Sequence, residues 1–200
     1  MRGVLFIFSV LVSLPAQAAS EDYAAWKAVN TDGSWTRAAE AGVASTELAT
    51  RVPTDIDLFC PGYATAAAEE RQRFWVAMLS AMARPESNFK PGATYLEPDI
   101  IDAAGKNVTS RGLLQISKES ANAKAYGCGI QDALELHDPA VNLACGARIM
   151  SHWVAKDGRI AAQTKPARGG ARYWSVLRAW RGHLPEISGF TRSLPSCKKP

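Results

Sequence analysis

The chain has 200 residues, with 23 Lys and Arg against 19 Asp and Glu for a formal charge of +4, and 47% of its residues are hydrophobic. So mild a charge, with no block of five or more like charges and no Lys/Arg stripe, argues against a nucleic-acid partner. The length suits one domain with a single sizeable core.

In chain order, Arg2 precedes an apolar run from Val4 to Leu14 and then Pro15-Ala16-Gln17-Ala18-Ala19. These are the three regions of a secretory leader, cut after Ala18. Removing it takes away Arg2 and lowers the formal charge from +4 to +3. The run falls short of the roughly 20 apolar residues that a spanning helix needs, and no later segment approaches that length, so no stable membrane insertion is expected. The expected organisation is a leader over 1–18, a helical or irregular extension over 19–58, and a disulfide-stapled domain over 59–200. The chain is expected to be a periplasmic or secreted monomer.

Cys60, Cys128, Cys145 and Cys197 all follow the leader, and an even count in an oxidising compartment points to two disulfides. Three pairings are open. The favoured one joins Cys128 to Cys145 in a short local loop and ties Cys60 to Cys197 near the C-terminus; free buried thiols are the alternative. No C-x-x-C pair exists, and His137, His152 and His183 lack ligand spacing, so neither a metal nor another cofactor is expected.

The extension is rich in alanine and polar residues, with Asp32-Gly33 and Gly42 as breakers, and allows a helix or two. Between Ala66 and Met82, the residues Phe74, Trp75, Met78, Leu79 and Met82 recur at i, i+1, i+4, i+5 and i+8, the stripe of a core helix. Pro85 restrains Arg84 from helical geometry, so the helix is predicted to end near Glu86, opening into a loop broken by Lys90-Pro91-Gly92. Residues 91–111 show neither helical nor strand periodicity and predict a long loop or a short β-like excursion. Ser117 to Tyr126 predicts a capped helix stopped by Gly127. Asp138-Pro139 is an N-cap and N1 pair, followed by Val141, Cys145, Ile149 and Trp153 up to Asp157-Gly158. After a Gly/Pro/basic linker over 165–170, Tyr173, Trp174, Leu177 and Trp180 predict a last helix closed by Gly182. The fold class is therefore mainly α (α+β), with at most a small β element.

Three strings fall on these elements in order: Met82-Ala83-Arg84-Pro85-Glu86-Ser87-Asn88-Phe89, Arg111-Gly112-Leu113-Leu114-Gln115-Ile116, and Asp138-Pro139-Ala140-Val141-Asn142-Leu143-Ala144-Cys145-Gly146. Together they resemble the Glu-Ser, Gly-Leu-Met-Gln-Ile and Asn-Ile-x-x-Gly motifs of the soluble lytic transglycosylases and goose-type lysozymes, over roughly Phe74 to Trp180. The resemblance implies a lysozyme-like domain that acts on peptidoglycan glycan strands, cleaving the β-1,4 bond between N-acetylmuramic acid and N-acetylglucosamine with Glu86 as the catalytic acid. It also implies substrate contacts from Ser87, Gln115 and Tyr173. Tyr173 is the partial match to a later Ala-Tyr-Asn-x-Gly motif, here Ala171-Arg172-Tyr173-Trp174-Ser175 with no Asn-x-Gly behind it.

The chemistry sets its own requirement. Protonating a glycosidic oxygen near neutral pH needs a carboxyl that keeps its proton well above the ordinary Glu value of about 4.3, and apolar surroundings supply that shift. A transglycosylase requires one such carboxyl, whereas a hydrolase usually adds a second carboxylate to activate water. Glu97, Asp99 and Asp102 lie in the long segment before Gly112; Asp99 or Asp102 is a candidate for that second role, and solvated loop acids are the plainer reading. The alternatives to a transglycosylase are a hydrolytic muramidase and a non-catalytic peptidoglycan-binding or inhibitor protein on the same scaffold.

Overall fold

The computed structural model describes residues 23–198; the expected leader lies outside them. Six α-helices and a three-stranded sheet are present among these residues: α1 (Ser34–Ala44), α2 (Ile56–Phe59), α3 (Ala68–Ser87), β1 (Thr94–Ile101), β2 (Asn107–Arg111), β3 (Ile116–Ser117), α4 (Lys118–Ala121), α5 (Pro139–Asp157) and α6 (Leu184–Arg192). The sheet is antiparallel with order β1-β2-β3. The molecule is mainly α with a small β element, as its sequence patterning implies.

Helix α3 is the axis of the core. Its stripe of Phe74, Trp75, Met78, Leu79 and Met82 has no exposed surface. Burying each such side chain stabilises the fold by roughly 1.5–3 kcal/mol. Tyr63, Phe74 and Trp75 meet edge to face; the Trp75 indole N–H donates to the Tyr63 hydroxyl over 2.8 Å and that hydroxyl donates to the Leu48 carbonyl over 3.3 Å, so both polar groups of the cluster are satisfied. The described part of the N-terminal segment shares the same core: Trp26 is fully buried and donates to Thr36 Oγ1 over 3.0 Å. Helix α1 lies against α5 and α3. Its approach to α5 is closest at Gly42, where a Cβ would stand 2.9 Å from the Ala144 Cα.

Helix α5 runs as its local signals dictate, from an Asp138 side chain that accepts the Ala140 N–H to a left-handed Gly158. Cys60 is joined to Cys197 across 137 residues and Cys128 to Cys145 across 17. The first closes α2 onto the C-terminal segment and the second fastens the loop after α4 to α5.

Three local expectations differ from the structure. Helix α3 ends at Ser87, near Glu86 as expected, but Arg84 and Pro85 lie within its last turn, so the proline does not set that end. The buried stripe outweighs the roughly 3 kcal/mol a proline costs inside a helix. The stop comes instead from Asn88 in the left-handed region, with the Phe89 N–H reaching back to the Ala83 carbonyl over 3.4 Å. The predicted helix after Ser117 is one turn, α4. The stretch from Tyr173 to Gly182 is a succession of 3-10 turns rather than a helix, and the last helix, α6, begins after it.

Candidate active site

The carboxyl of Glu86 sits on the last turn of α3, at the edge of the buried stripe, and is half-buried. No hydrogen bond to it is present among the described residues. Loss of solvent, first, and the negative charge of Glu97, second, raise its pKa to about 8 from an ordinary 4.5, against the opposing pull of the Arg178 guanidinium. At pH 7 such a group is protonated in about nine of ten molecules, where an ordinary glutamate would be in roughly one of three hundred.

Glu97 reaches this carboxyl because the segment after Gly92 folds back as a hairpin. β1 pairs with β2 at Thr94 with Arg111, Tyr95 with Ser110 and Leu96 with Thr109, and the register shifts beyond Leu96. Along β1 only Glu97 is partly buried rather than exposed, and its carboxylate accepts from the Ser110 hydroxyl over 2.7 Å. Asp102 instead caps the hairpin turn, taking the N–H groups of Ala104 and Lys106 at 2.8 and 2.9 Å, and Asp99 is exposed. The second carboxylate at the site is thus Glu97, which sequence reasoning noted but passed over in favour of Asp99 and Asp102.

The loop from Gly112 to Gln115 is held by α5. Asn142, fully buried, donates to the carbonyls of Arg111 and Leu136 at 3.0 and 2.9 Å and accepts the Leu114 N–H at 2.9 Å. Gly112 is left-handed, and a Cβ there would stand 2.1 Å from the Leu136 oxygen and 2.3 Å from the Asn142 amide nitrogen. A Cβ on Gly146 would stand 2.3 Å from Leu114 Cδ1. The Trp174 indole completes the anchor by donating to the Leu114 carbonyl over 2.9 Å.

The remaining sequence-predicted residues divide. Tyr173 lies near enough to Glu86 for the two charges to interact, and desolvation above all pushes its phenol up to about 12. Its hydroxyl shares a hydrogen bond with Ser120 Oγ at 2.5 Å. The Ser87 hydroxyl donates back to the Ala83 carbonyl over 3.0 Å, the local helix-end contact. The Gln115 amide donates to the Gly112 and Ala93 carbonyls at 2.9 and 3.3 Å, tying the loop to the start of the hairpin. Arg178, not singled out from sequence, is fixed by its Nε donating to the Ala171 carbonyl over 2.8 Å.

Backbone strain gathers here as well. The non-glycine residues with positive φ among the described residues are Asn88, Phe89 and Gln115, which flank the Glu86 turn and close the Gly112 loop. Each such conformation costs about 1–3 kcal/mol and persists where the surroundings impose it, commonly at functional sites. Cavities of about 400 and 190 Å³ lie elsewhere, lined by neither Glu86 nor Glu97. The carboxyl pair Glu86 and Glu97 marks the site.

The family described as "Transglycosylase SLT domain" matches residues 64–168. Among solved structures, a Glu-to-Gln variant of DslA is 42% identical with a TM-score of 0.82, the match covering 90% of this chain and all of that one. Wild-type DslA is 43% identical with a TM-score of 0.81, covering 88% of this chain and 97% of that one. A second Glu-to-Gln variant of DslA is 42% identical with a TM-score of 0.81 over the same shares. No curated protein matches the chain. The chain belongs to the SLT transglycosylase family, lysozyme-like enzymes that act on peptidoglycan.

Proposed function

We propose that this enzyme, exported after loss of residues 1–18, cleaves the β-1,4 bond between N-acetylmuramic acid and N-acetylglucosamine as a lytic transglycosylase, with Glu86 as its acid and then its base. The observation that carries this is a half-buried carboxyl, free of hydrogen bonds among the described residues, whose burial beside Glu97 pushes its pKa up to about 8. Glu86 gives its proton to the glycosidic oxygen as the C1–O bond breaks, while the substrate's N-acetyl group supports the anomeric centre. The carboxylate so formed is opposed by Glu97 and stabilised by Arg178, an arrangement that favours its taking a proton back. In the transglycosylase route that proton comes from the C6 hydroxyl, whose oxygen closes on C1 to give a 1,6-anhydro end.

The other predicted residues serve this acid as neighbours. Tyr173 interacts with it from the 3-10 segment, Ser87 follows it on the same turn and is buried with its hydroxyl on the Ala83 carbonyl, and Gln115 holds the loop that borders the hairpin. Two disulfides support the exported setting.

Glu97 favours a second reading, hydrolysis, in which it activates a water while Glu86 protonates the leaving group. The two DslA variants carry their substitutions eleven residues apart, the separation of Glu86 and Glu97 here. Purified protein is expected to clear a peptidoglycan suspension and Glu86→Gln to lose that activity with its fold intact; undiminished clearing by the variant overturns the assignment. Mass spectrometry of the fragments separates the routes, since an anhydro end lacks one water relative to a reducing end.

A further inference from the structure

The basic linker after α5 forms a site of its own. Its backbone is pinned at the neck: Asp55 accepts the N–H groups of Ile160 and Ala161 at 2.8 and 2.9 Å, and Asp157 accepts that of Gly169 at 2.7 Å. The two ends touch so closely that a Cβ on Gly169 would lie 1.9 Å from the Arg159 oxygen. Between them, Arg159, Gln163, Thr164, Lys165 and Arg168 surround a cavity of about 190 Å³.

Besides Ala162 and Pro166, every lining side chain carries a donor, three of them cationic. Among the described residues, Arg159, Lys165 and Arg168 belong to no ion pair, and the Arg159 Nε is buried without a hydrogen-bond partner. Of the neighbouring acids, Asp157 pairs with Arg172, accepts from Gly169 and also feels the Arg168 charge, while Asp55 is spent on two backbone amides. Three cations around one hollow, with an amide, a hydroxyl and an orphaned guanidinium N–H, match a bound oxyanion. The linker is also tied to the segment of Arg178: the Ala162 N–H donates to the Leu177 carbonyl over 3.1 Å and the Ala179 N–H to that of Ala162 over 2.9 Å, and the residue between them, Arg178, acts on Glu86.

We infer that this cavity binds a free carboxylate of the peptide stems borne by peptidoglycan, so that the enzyme prefers stem-bearing glycan over bare glycan. The inference rests on the cleavage reading above. A stem of four or five residues spans up to about 15 Å when extended.

The test is calorimetric titration of the full exported chain with a muramyl peptide whose carboxylates are free and with its fully amidated counterpart. The free acid is expected to bind at least about ten-fold more tightly, with a preference that weakens as salt rises, and Arg159→Gln/Lys165→Gln/Arg168→Gln is expected to bind both forms alike. Should the triple variant misfold, Lys165→Gln/Arg168→Gln, at two exposed positions, is expected to cut the preference severalfold. Equal binding of the two peptides by the unaltered protein, or retention of the preference by a folded variant, overturns the inference. Saturable inorganic phosphate that fails to compete with the acid peptide overturns it too. Cleavage of stem-free glycan, measured alongside, reports on Glu86 alone and separates failure of this inference from failure of the cleavage reading.

Discussion

Holding Glu86 in its protonated form destabilises the folded chain wherever solvent would ionise it, and that strain can be measured without a substrate. The carboxyl ionises near 4.5 when free in water and near 8 in the fold. Between those values the folded chain binds more protons than the unfolded one, so the stability this group contributes is complete below pH 4.5 and is lost as pH rises through 8. At about 1.36 kcal/mol per pKa unit the whole window is worth about 5 kcal/mol, of which roughly 3 is already lost at pH 7. Glu86→Gln keeps the shape and removes the titration. Its stability relative to the unaltered protein should therefore grow by about 3.5 kcal/mol from pH 5 to pH 8, on top of any pH-independent offset from the amide. For a chain of this size each kcal/mol moves Tm by about 2–4 °C, which puts the divergence on the order of 10 °C. Thermal unfolding followed by circular dichroism at constant ionic strength reads it directly. A difference in Tm that is the same at pH 5 and pH 8 would refute the raised pKa and with it the basis for Glu86 as an acid.

Neutralising Glu97 with glutamine keeps an oxygen for Ser110 but removes a charge that holds the Glu86 proton, so the Glu86 pKa falls while desolvation keeps it above 4.5. The alkaline limb of kcat/KM for peptidoglycan clearing should move to lower pH; a limb that stays put while activity collapses at every pH would assign Glu97 to water activation instead. Asn142→Ala strands one N–H and two carbonyls in a buried setting, and at about 1–3 kcal/mol each the loss should reach about 3 kcal/mol or more, read as a lower urea midpoint, with reduced activity in the folded fraction as the Gln115 loop is released. Opening Cys60–Cys197, which spans 137 residues, should cost about 5 kcal/mol against about 3 for Cys128–Cys145, which spans 17; paired Cys-to-Ser variants compared by denaturant unfolding give the order.

Helices α3 and α5 were legible because their signals are local: a stripe at helical spacing in one, an N-cap, a proline at N1 and a closing glycine in the other. The hairpin was not. A strand is read from alternation, alternation comes from one buried face, and β1 buries neither, being held by its pairing to β2. Glu97 was hidden for the same reason, since only the fold-back turns it, rather than Asp99 or Asp102, toward Glu86. The stretch from Tyr173 to Trp180 carries helical spacing yet forms 3-10 turns. Its backbone is spent on Ala162, and the Trp174 indole on Leu114, while Gly170 fits where a Cβ would stand 2.7 Å from the Met150 sulfur.

The three strings that pointed to the family are one object in space, and this explains why they had to be read together. Glycine at 112 means only a turn, asparagine at 142 only a polar residue in an apolar helix, glycine at 146 only a weak spot in that helix. In the fold, Asn142 can bond both sides of the loop because Gly112 has no Cβ to displace its amide, and Leu114 can enter α5 because Gly146 has none to meet it. The loop so fastened sets Gln115 in a left-handed conformation, bonded to Ala93 at the root of the hairpin that carries Glu97 to Glu86. A buried polar network of this kind tolerates no half measure, since any member removed leaves unpaired groups out of reach of water. The Glu97 contribution to the raised pKa of Glu86 thus rests on residues that never touch that carboxyl, and the order of the strings along the chain is the order of the parts of the site: the carboxyl, the loop that braces the hairpin, and the helix that holds the loop.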